Sequence, residues 1–490
     1  MNEEKPNIVF IVMDTARADA FLQRETDLTP NIDAIAADGI SYSRAFSVSP
    51  WTLPSHASLF TGTTPSKHGA HAGHKQLENE QRLLPEVLSE AGYRTVGISN
   101  NTWISEEFGF ARGFDVFRKN WQYIQSDVDL GKVARAREGV DKLRGVAYKI
   151  LDGNPVVNVA NAVYGQLVRK QAKDDGAQST NDWIRDWLAQ RDTELPFFLF
   201  VNYLEPHLEY RPPREYVEPL LPEQVSYEEA MEVNQDAWRY IAQQVEMDEA
   251  DFEILEALYR AEISYLDQQI GELQEYLKNE DEWEETIFVV TGDHGENIGD
   301  HGLMDHQYGL YDTLLHIPLI INGGGFAGGT TIDELVQLPD LAPTLLDAAD
   351  IDAPQFRKQM LAKSFHPQSE TEPRDFVVAE YMAPQPSMEA LEKRVGDLPD
   401  TVYDYNRSLR ALRSDRWKLI RGSDDSMKLF DLKNDPDETS NIARTEDELR
   451  EELNGELDGW LDSFEQANYS GTVEMQEGTK EQLEDLGYLQ

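Results

Sequence analysis

The sequence predicts an α/β fold: a mostly parallel central sheet flanked by helices, followed by a small C-terminal antiparallel α+β subdomain. Three observations carry this expectation. Four strand-like runs, NIVFIVM (7–13), RTVGIS (94–99), FFLFVNY (197–203) and TIFVVTG (286–292), have the apolar texture of strands buried on both faces. Helical stretches separate them, the alternation that builds parallel βαβ units. Beyond about residue 370 the texture changes to short strands divided by turn-forming residues.

In chain order, NIVFIVM opens almost at the first residue, and TPNIDAIAADG follows as a helix stopped by Gly39. LLPEVLSEAG is helical and leads into RTVGIS as a second parallel strand. From about 120 to 190 the pattern is helical and polar, an insertion that carries no chemical motif. After FFLFVNY, a stretch rich in Glu, Leu, Tyr and Gln from about Asp248 to Asn279 is expected as a surface helix with a solvated charged face. TIFVVTGDHGE ends a strand in polar residues, and HIPLIIN (316–322) is expected as one further strand. FVVAEY, SLRALRSDRWKLIRG and MKLFDL supply the antiparallel sheet, and the acidic tail from about Asp435 is helical and loopy. The expected division is a catalytic α/β domain over 1–370, with the insertion inside it, and a C-terminal subdomain over 371–490. There is no internal repeat.

Composition narrows the function classes. Of 490 residues, 40% are hydrophobic and 10% aromatic, enough for a sizeable core, which excludes the disordered class. The formal net charge is −47, from 44 basic and 91 acidic residues. Such a charge repels nucleic acid phosphates and anionic lipid heads, so neither nucleic acid nor membrane is an expected partner. The acids are spread along the chain, a heavily hydrated surface suited to concentrated salt, and a halophilic archaeal source is expected. There is no cysteine, hence no disulfide, thiolate metal site or cysteine nucleophile. The N-terminus has no basic region leading into an apolar stretch, and no run approaches the ~20 apolar residues that span a bilayer. A soluble cytoplasmic protein is expected.

In open α/β sheets the site forms at the carboxyl ends of the strands. Asp14 directly follows the first strand, Asn100 and Asn101 the second, Glu205 and His207 the third, and Asp293 and His294 the fourth. A lone Asp after a strand is ordinarily a turn former or helix N-cap. Asp293-His294 says more, because it sets a hard oxygen ligand beside an imidazole, a pair that suits Zn, Mn, Mg or Ca to different degrees.

The stretch SPWTLPSHASLFTG (49–62) resembles the signature of the sulfatase family within the alkaline phosphatase superfamily. In that signature a nucleophile-x-Pro-x-Arg core leads into an Ala-Ser-Leu-x-Thr-Gly helix, and Thr52, Pro54, Ser55 and Ala57 to Gly62 match its layout. TPNIDAIAADGISYSRAFS upstream, GDHGENIGDHGLMDH, and the late RALRSDRWKLIRG with LFDLKNDPDETSNIA resemble further family segments, so the likeness covers most of the chain outside about 120–175. It implies an alkaline-phosphatase-like fold and a metal-dependent hydrolase of sulfate esters. The alternatives within reach are a phosphodiesterase or phosphonate monoester hydrolase, a phosphoryl-type transferase, or a non-catalytic binding protein. By the same resemblance, Asp14, Thr52, Asp293 and His294 would hold one divalent ion (Ca, Mg, Mn or Zn), with Thr52 the nucleophile and Pro54 shaping its turn. His207 would contact the substrate anion or protonate the leaving group. Asn100 aligns with an anion-contacting lysine of typical sulfatases, and His306 or Gln307 with another. His306 is thus expected as catalytic, and Asn100, Gln307 and His56 as substrate-binding. The substrate would be a small-molecule, glycan-derived or lipid-derived sulfate or phosphate ester; the sequence does not reveal the oligomeric state.

The departures from the family pattern matter equally. Typical sulfatases oxidise Cys or Ser to formylglycine; Thr52 carries a methyl on its β-carbon and could yield only a ketone, and His56 replaces the arginine of the modification motif. Formylglycine is therefore rejected. A threonine hydroxyl coordinated to a divalent cation is the alternative, as in related phosphodiesterases and nucleotide pyrophosphatases. Loss of formylglycine favours phosphate esters, whereas the family context favours sulfate. Thr15 stands where typical sulfatases have a second aspartate. A second metal would draw on His207 and His306, but Glu205 is the nearest acid after FFLFVNY, so one ion is expected. His68, His71 and His74 in SKHGAHAGHK are expected in a Gly-rich loop near the site mouth, His301 as a loop-orienting residue, and Arg17 as a partner of Asp19.

Overall fold

A computed structural model describes residues 5–22, 28–78, 80–120 and 176–467. Residues 121–175 of the expected insertion and the chain end beyond 467 lie outside the described residues; within the former stretch's flank, Ala177–Gln190 is a helix.

An eight-stranded sheet forms the centre. From one edge its strands run Thr330–Ile332, Ile40–Tyr42, Leu319–Asn322, Thr286–Gly292, Asn7–Met13, Phe197–Tyr203, Arg94–Ser99 and Val116–Lys119. Pairing is parallel from Thr286–Gly292 through to Val116–Lys119. Leu319–Asn322 runs antiparallel to both its neighbours. HIPLIIN is not one strand: Pro318 has no N–H to donate to a ladder, and the run divides there. His316–Ile317 joins a three-stranded sheet with Ala45–Phe46 and Val336–Gln337, while only the second half enters the large sheet.

Period-2 alternation sends the central strands into two cores. Ile8, Phe10 and Val12, with Phe198 and Phe200, face one layer; Val9, Ile11 and Met13, with Leu199 and Val201, face the other. The helix Thr52–Thr61 packs on the first side through Leu53, Ala57, Leu59 and Phe60. The second side is covered by the helix Glu249–Asn279, through Tyr265, Leu266, Ile270, Leu273 and Leu277. This is the expected surface helix with a solvated charged face, and its other face is buried on the sheet. Its apolar residues recur at three- and four-residue intervals and form a buried stripe, leaving only the opposite face solvated.

The same helix caps another. Thr29, at the start of Pro30–Asp38, makes no side-chain cap. Instead Asp267 accepts from the Asn31 and Ile32 amides at 3.1 and 2.8 Å and from the Asn31 side chain at 2.8 Å. Burial pushes the Asp267 carboxyl up, and these donors offset that. Asp267→Ala is expected to cost about 2–3 kcal/mol, because orphaned helix amides and lost charge-assisted bonds add together. A lowered denaturant midpoint with unchanged slope is the expected readout.

Beyond residue 370 the strands Phe376–Tyr381, Leu409–Ser414, Trp417–Gly422 and Met427–Asp431 form a sequential antiparallel sheet. Val377, Ala379 and Tyr381 share the first core of the large domain, while Val378, Leu412, Leu419 and Leu429 pack against the helix Asp447–Leu461. No helix among the described residues is long and apolar enough to cross a membrane.

Candidate active site

Four parallel strands end on one side of the sheet, and the polar residues just beyond them converge. Asp14, one step past Met13, is fully buried, and its amide donates to the Tyr203 carbonyl at 3.2 Å, tying it to the neighbouring strand. Asp293 and His294 leave the strand Thr286–Gly292 beside it. Asp14, Asp293 and His294 each offer a ligand atom, and these atoms lie within 4.8 Å of one another.

Thr52 begins a ten-residue helix whose preceding residue, Trp51, provides no side-chain cap, so the first amides stay available to an anion. The Thr52 Oγ1 lies 3.5 Å from Asp14 Oδ1 and 3.4 Å from His294 Nε2. His294 Nδ1 lies 2.9 Å from the Gly295 carbonyl, which assigns the proton to Nδ1 and turns the Nε2 lone pair toward the cluster. Gly295 is required there: a Cβ would stand 2.1 Å from the Thr313 carbonyl oxygen.

Asp293 Oδ1 accepts from the amides of Thr15 and His294 at 3.2 and 2.9 Å. Thr15 takes φ +62° to aim its amide, an unusual conformation for a β-branched residue and one found where a site demands it. Asp293 Oδ2 is buried and makes no hydrogen bond among the described residues; it faces His294 Nε2 at 3.4 Å and His56 Nδ1 at 3.5 Å. Burial pushes Asp14 up to about 7. Burial, then repulsion from Asp14, holds Asp293 well above the usual carboxylate range. Burial likewise holds His294 well below the usual histidine range and lowers His56 to about 4.

A second buried cluster adjoins the first. His306 Nδ1 sits against Asp305 Oδ1 and 3.6 Å from Glu296 Oε1, and Tyr210 donates to Glu296 Oε2 at 2.5 Å. Burial pulls the His306 imidazole down, but Asp305 and Glu296 outweigh it and raise it to about 10. Burial pushes Glu296 up to about 7. His306 lies between the rings of His294 and His207, at 4.7 and 5.2 Å between centroids. Burial, then the charge on His306, lowers His207 to about 4. Three non-glycine residues in 301–308 (His301, Asp305 and Tyr308) have left-handed backbones, a concentration of strain that fits a functional loop.

The remaining expected residues fall as follows. His56, within the helix Thr52–Thr61, is fully buried, its Nδ1 2.9 Å from the Thr52 carbonyl oxygen and 3.5 Å from Asp293 Oδ2, so it touches the protein's own chain. Gln307 donates to Asp305 Oδ2 at 2.6 Å. Asn100 turns aside: its Oδ1 accepts from Thr180 at 3.0 Å. Its neighbour Asn101 enters the cluster, donating to Asp14 Oδ2 at 2.6 Å and approaching Thr52 Oγ1 at 3.3 Å. The strand-end rule flagged both asparagines, but only the turn geometry chooses between them. Glu205 accepts from the Ala177 amide at 3.0 Å, serving a helix N-terminus. The second cluster's Glu296 and Asp305 had no distinguishing signal beyond their place in GDHGENIGDHGLMDH, and Tyr210, in the segment after FFLFVNY, had none.

The imidazole of His68 meets Ser58 Oγ at 2.9 Å, that of His71 the Gly73 amide at 3.0 Å and that of His74 Glu78 Oε1 at 3.0 Å, and among the described residues the three form no candidate metal cluster. His301 stacks on Tyr311 with centroids 3.5 Å apart, and Arg17 pairs with Asp19 and Asp300 at 2.7 and 2.8 Å. A cavity of about 790 Å³ lies elsewhere, lined by Arg17, His301, Tyr311, Asp312, Arg413 and Lys428; neither Thr52 nor Asp14 borders it.

Comparison with known proteins places this geometry. The sulfatase family model matches residues 6–351. An arylsulfatase of Clostridium perfringens is 26% identical, over 94% of this chain and 96% of its own. A choline-sulfatase of Rhizobium meliloti is 25% identical, over 90% and 83%. Among solved structures, the phosphonate monoester hydrolase of Agrobacterium radiobacter superposes with a TM-score of 0.67 at 19% identity, covering 94% of this chain and 96% of that one. A protein solved with its substrate D-glucosamine-2-N,6-O-disulfate gives the same TM-score of 0.67 at 20% identity, covering 94% and 99%.

Proposed function

The chain belongs to the sulfatase family and is a hydrolase of sulfate or phosphate esters; from that premise we propose that it cleaves sulfate esters with Thr52 as the nucleophile, at a site holding one divalent cation. The observation that carries the reading is the Thr52 hydroxyl set among Asp14, His294 and Asn101, all within 3.5 Å of it.

The residues fit a divalent cation. Two buried carboxylates that repel each other, one with an oxygen that makes no hydrogen bond, converge with an imidazole Nε2, an arrangement that calls for positive charge. Asp14, Asp293 and His294 would hold the ion, with Thr52 Oγ1 as a further donor; the nitrogen donor favours Zn or Mn over Ca. When bound, the ion supplies the charge that offsets the carboxylates and eases deprotonation of the threonine hydroxyl. Glu296, Asp305 and His306 likewise offer ligand atoms within 4.8 Å of one another, and metal analysis decides between one ion per chain and two.

The protein's own groups account for the remaining steps. Thr52 Oγ1 attacks sulfur, with the helix amides behind it facing the sulfuryl oxygens. The bond from sulfur to the alcohol oxygen breaks, and His306, steadied by Asp305 and Glu296, delivers a proton to that oxygen and is restored by the proton that Thr52 loses on attack, with His207 packed against it. Water then cleaves the sulfo-threonine, restoring the Thr52 hydroxyl and releasing sulfate and a proton. Asn101 holds Asp14 and Thr52 in register throughout. The substrate is a small-molecule, glycan-derived or lipid-derived ester.

A second reading has one observation in its favour. A covalent sulfo-threonine must be hydrolysed, and an unmodified threonine suits phosphate or phosphonate esters at least as well; a phosphonate monoester hydrolase shares the fold. The test is hydrolysis of aryl sulfate, aryl phosphate, phosphodiester and phosphonate monoester substrates in molar KCl with Mg, Ca, Mn or Zn. Aryl sulfate turnover is expected; turnover of diesters or phosphonates alone moves the assignment to a phosphodiesterase-type enzyme. Chelation is expected to lower the rate by on the order of 10³-fold, with recovery on adding back one ion per chain by metal analysis.

A further inference from the structure

An anionic ester meets an unfavourable field at this site. Asp14, Asp293, Glu296 and Asp305 are all buried, and His306 is the one histidine of the cluster raised above its ordinary value. Four carboxyl groups crowd one buried site, so an anionic ester gains from any further cation there. A further cation would hold the substrate's charge, and Lys75, seated on the Trp103 ring, has no acidic partner among the described residues.

Lys75 lies in the loop after the short helix Pro65–His68. The loop is anchored on both sides of it. His71 and His74 bond each other through their backbones at 2.9 Å, His74 Nε2 lies 3.0 Å from Glu78 Oε1, and the Leu77 amide donates to the Phe108 carbonyl at 3.0 Å. So held, Lys75 places its Nζ 4.9 Å from the ring centroid of Trp103. Trp103 is buried; its amide donates to Asn101 Oδ1 at 2.9 Å, and its ring meets that of Trp51 edge-on at 5.6 Å. Both contacts lead to the nucleophile, since Asn101 approaches Thr52 Oγ1 and Trp51 immediately precedes Thr52. One indole thus links the ammonium to the two residues that frame Thr52.

Lys75 makes no ion pair and donates no hydrogen bond among the described residues, in a chain with 91 acidic residues against 44 basic. Desolvating an ammonium without a counter-charge is unfavourable, and the aromatic face offsets only part of that. Burial lowers the amine to about 8, which leaves it mostly charged at neutral pH. A half-buried cation with no ion pair among the described residues of so acidic a chain is available for an incoming anion.

We propose that Lys75, seated on Trp103, is a substrate-binding residue of this site and takes a negatively charged oxygen of the ester's tetrahedral anion. The assignment rests on the reading of Thr52 as the point of ester attack.

The test uses inorganic sulfate and inorganic phosphate as probes, titrated calorimetrically into the metal-loaded protein as wild type, Lys75→Gln and Lys75→Arg. Lys75→Gln is expected to weaken both anions by about 10- to 100-fold and to raise KM by a similar factor with a smaller change in kcat; Lys75→Arg should restore most of the binding. In the unaltered protein, saturating sulfate should slow reductive methylation of Lys75 but not of the exposed Lys433, read by peptide mass spectrometry. The second measurement stands even if the variants fold poorly. Unchanged anion affinity in a folded Lys75→Gln protein, labelling of Lys75 indifferent to sulfate, or a wild type that binds neither anion would overturn the assignment. A wild type that binds anions through Lys75 but cleaves no ester would support it while removing Thr52 as nucleophile.

Discussion

Thr52→Ala is expected to lower kcat/KM by on the order of 10⁴-fold or more, because it removes the atom proposed to form the covalent intermediate. The fold should tolerate the change. The contacts of Oγ1 are long, at 3.3 to 3.5 Å, and Asn101 keeps its shorter bond to Asp14 at 2.6 Å. Asp14, Asp293 and His294 remain to bind the ion, so metal content should persist while turnover disappears. Thr52→Ser keeps the hydroxyl and should retain far more of the rate. The measurement is kcat/KM on the best ester of the panel, beside metal content and a denaturation midpoint. Full activity in the alanine variant would mean that another group attacks.

The largest expected effect on stability lies away from the site. Lys418, with no exposed side-chain surface, projects from the C-terminal sheet and bonds Asp312 Oδ1 and Glu438 Oε1, both at 2.7 Å. Asp312, at the start of the short helix Asp312–Leu315 of the larger part, also receives Arg413 Nε at 3.1 Å. Burial would push Asp312 up, but Lys418 and Arg413 hold it below the ordinary range, whereas burial pushes Glu438 up to about 7. Lys418→Met leaves two carboxylates buried together without their shared cation, and a loss of about 3–5 kcal/mol is expected. A carboxyl raised by folding contributes stability that is present below its unfolded pKa and lost as pH rises through its folded value. Removing Lys418 raises both carboxyls further, so the deficit should be larger at pH near 8 than near 5.5. Chemical denaturation at both pH values measures it, and adding Asp312→Asn should recover part of the loss. An equal deficit at both pH values would show that lost packing, rather than unpaired charge, is responsible.

Much of the architecture was legible because its signals are local. Asn7–Met13, Arg94–Ser99, Phe197–Tyr203 and Thr286–Gly292 have the bounds expected from their side chains alone, since mostly apolar and β-branched runs end there in polar or turn-forming residues. The antiparallel character of the C-terminal strands was likewise readable from short runs and turn residues. HIPLIIN misled because its apolar texture hides the break at Pro318. The helix Glu249–Asn279 has nearly the expected bounds and its solvated face, while which core its apolar face covers was not readable from the sequence.

For the site, the sequence by itself determined the chemistry on offer: a threonine at a helix start, carboxylates and imidazoles at strand ends, no cysteine, and an acidic chain in need of cations. Those depend on residue type and on position relative to a local element. Only the tertiary structure decided which of these groups meet. Asn101 rather than Asn100 reaches Asp14 because one turn's backbone sets the direction. Glu296 and Asp305 grip His306 because the strained loop of 301–308 folds back on the strand end. Lys75 comes within one indole of Thr52's neighbours through a loop fastened to the segment after Asn101. Contacts like these form between residues far apart in the chain, and their geometry follows from sheet order and loop path, which no local pattern of side chains encodes.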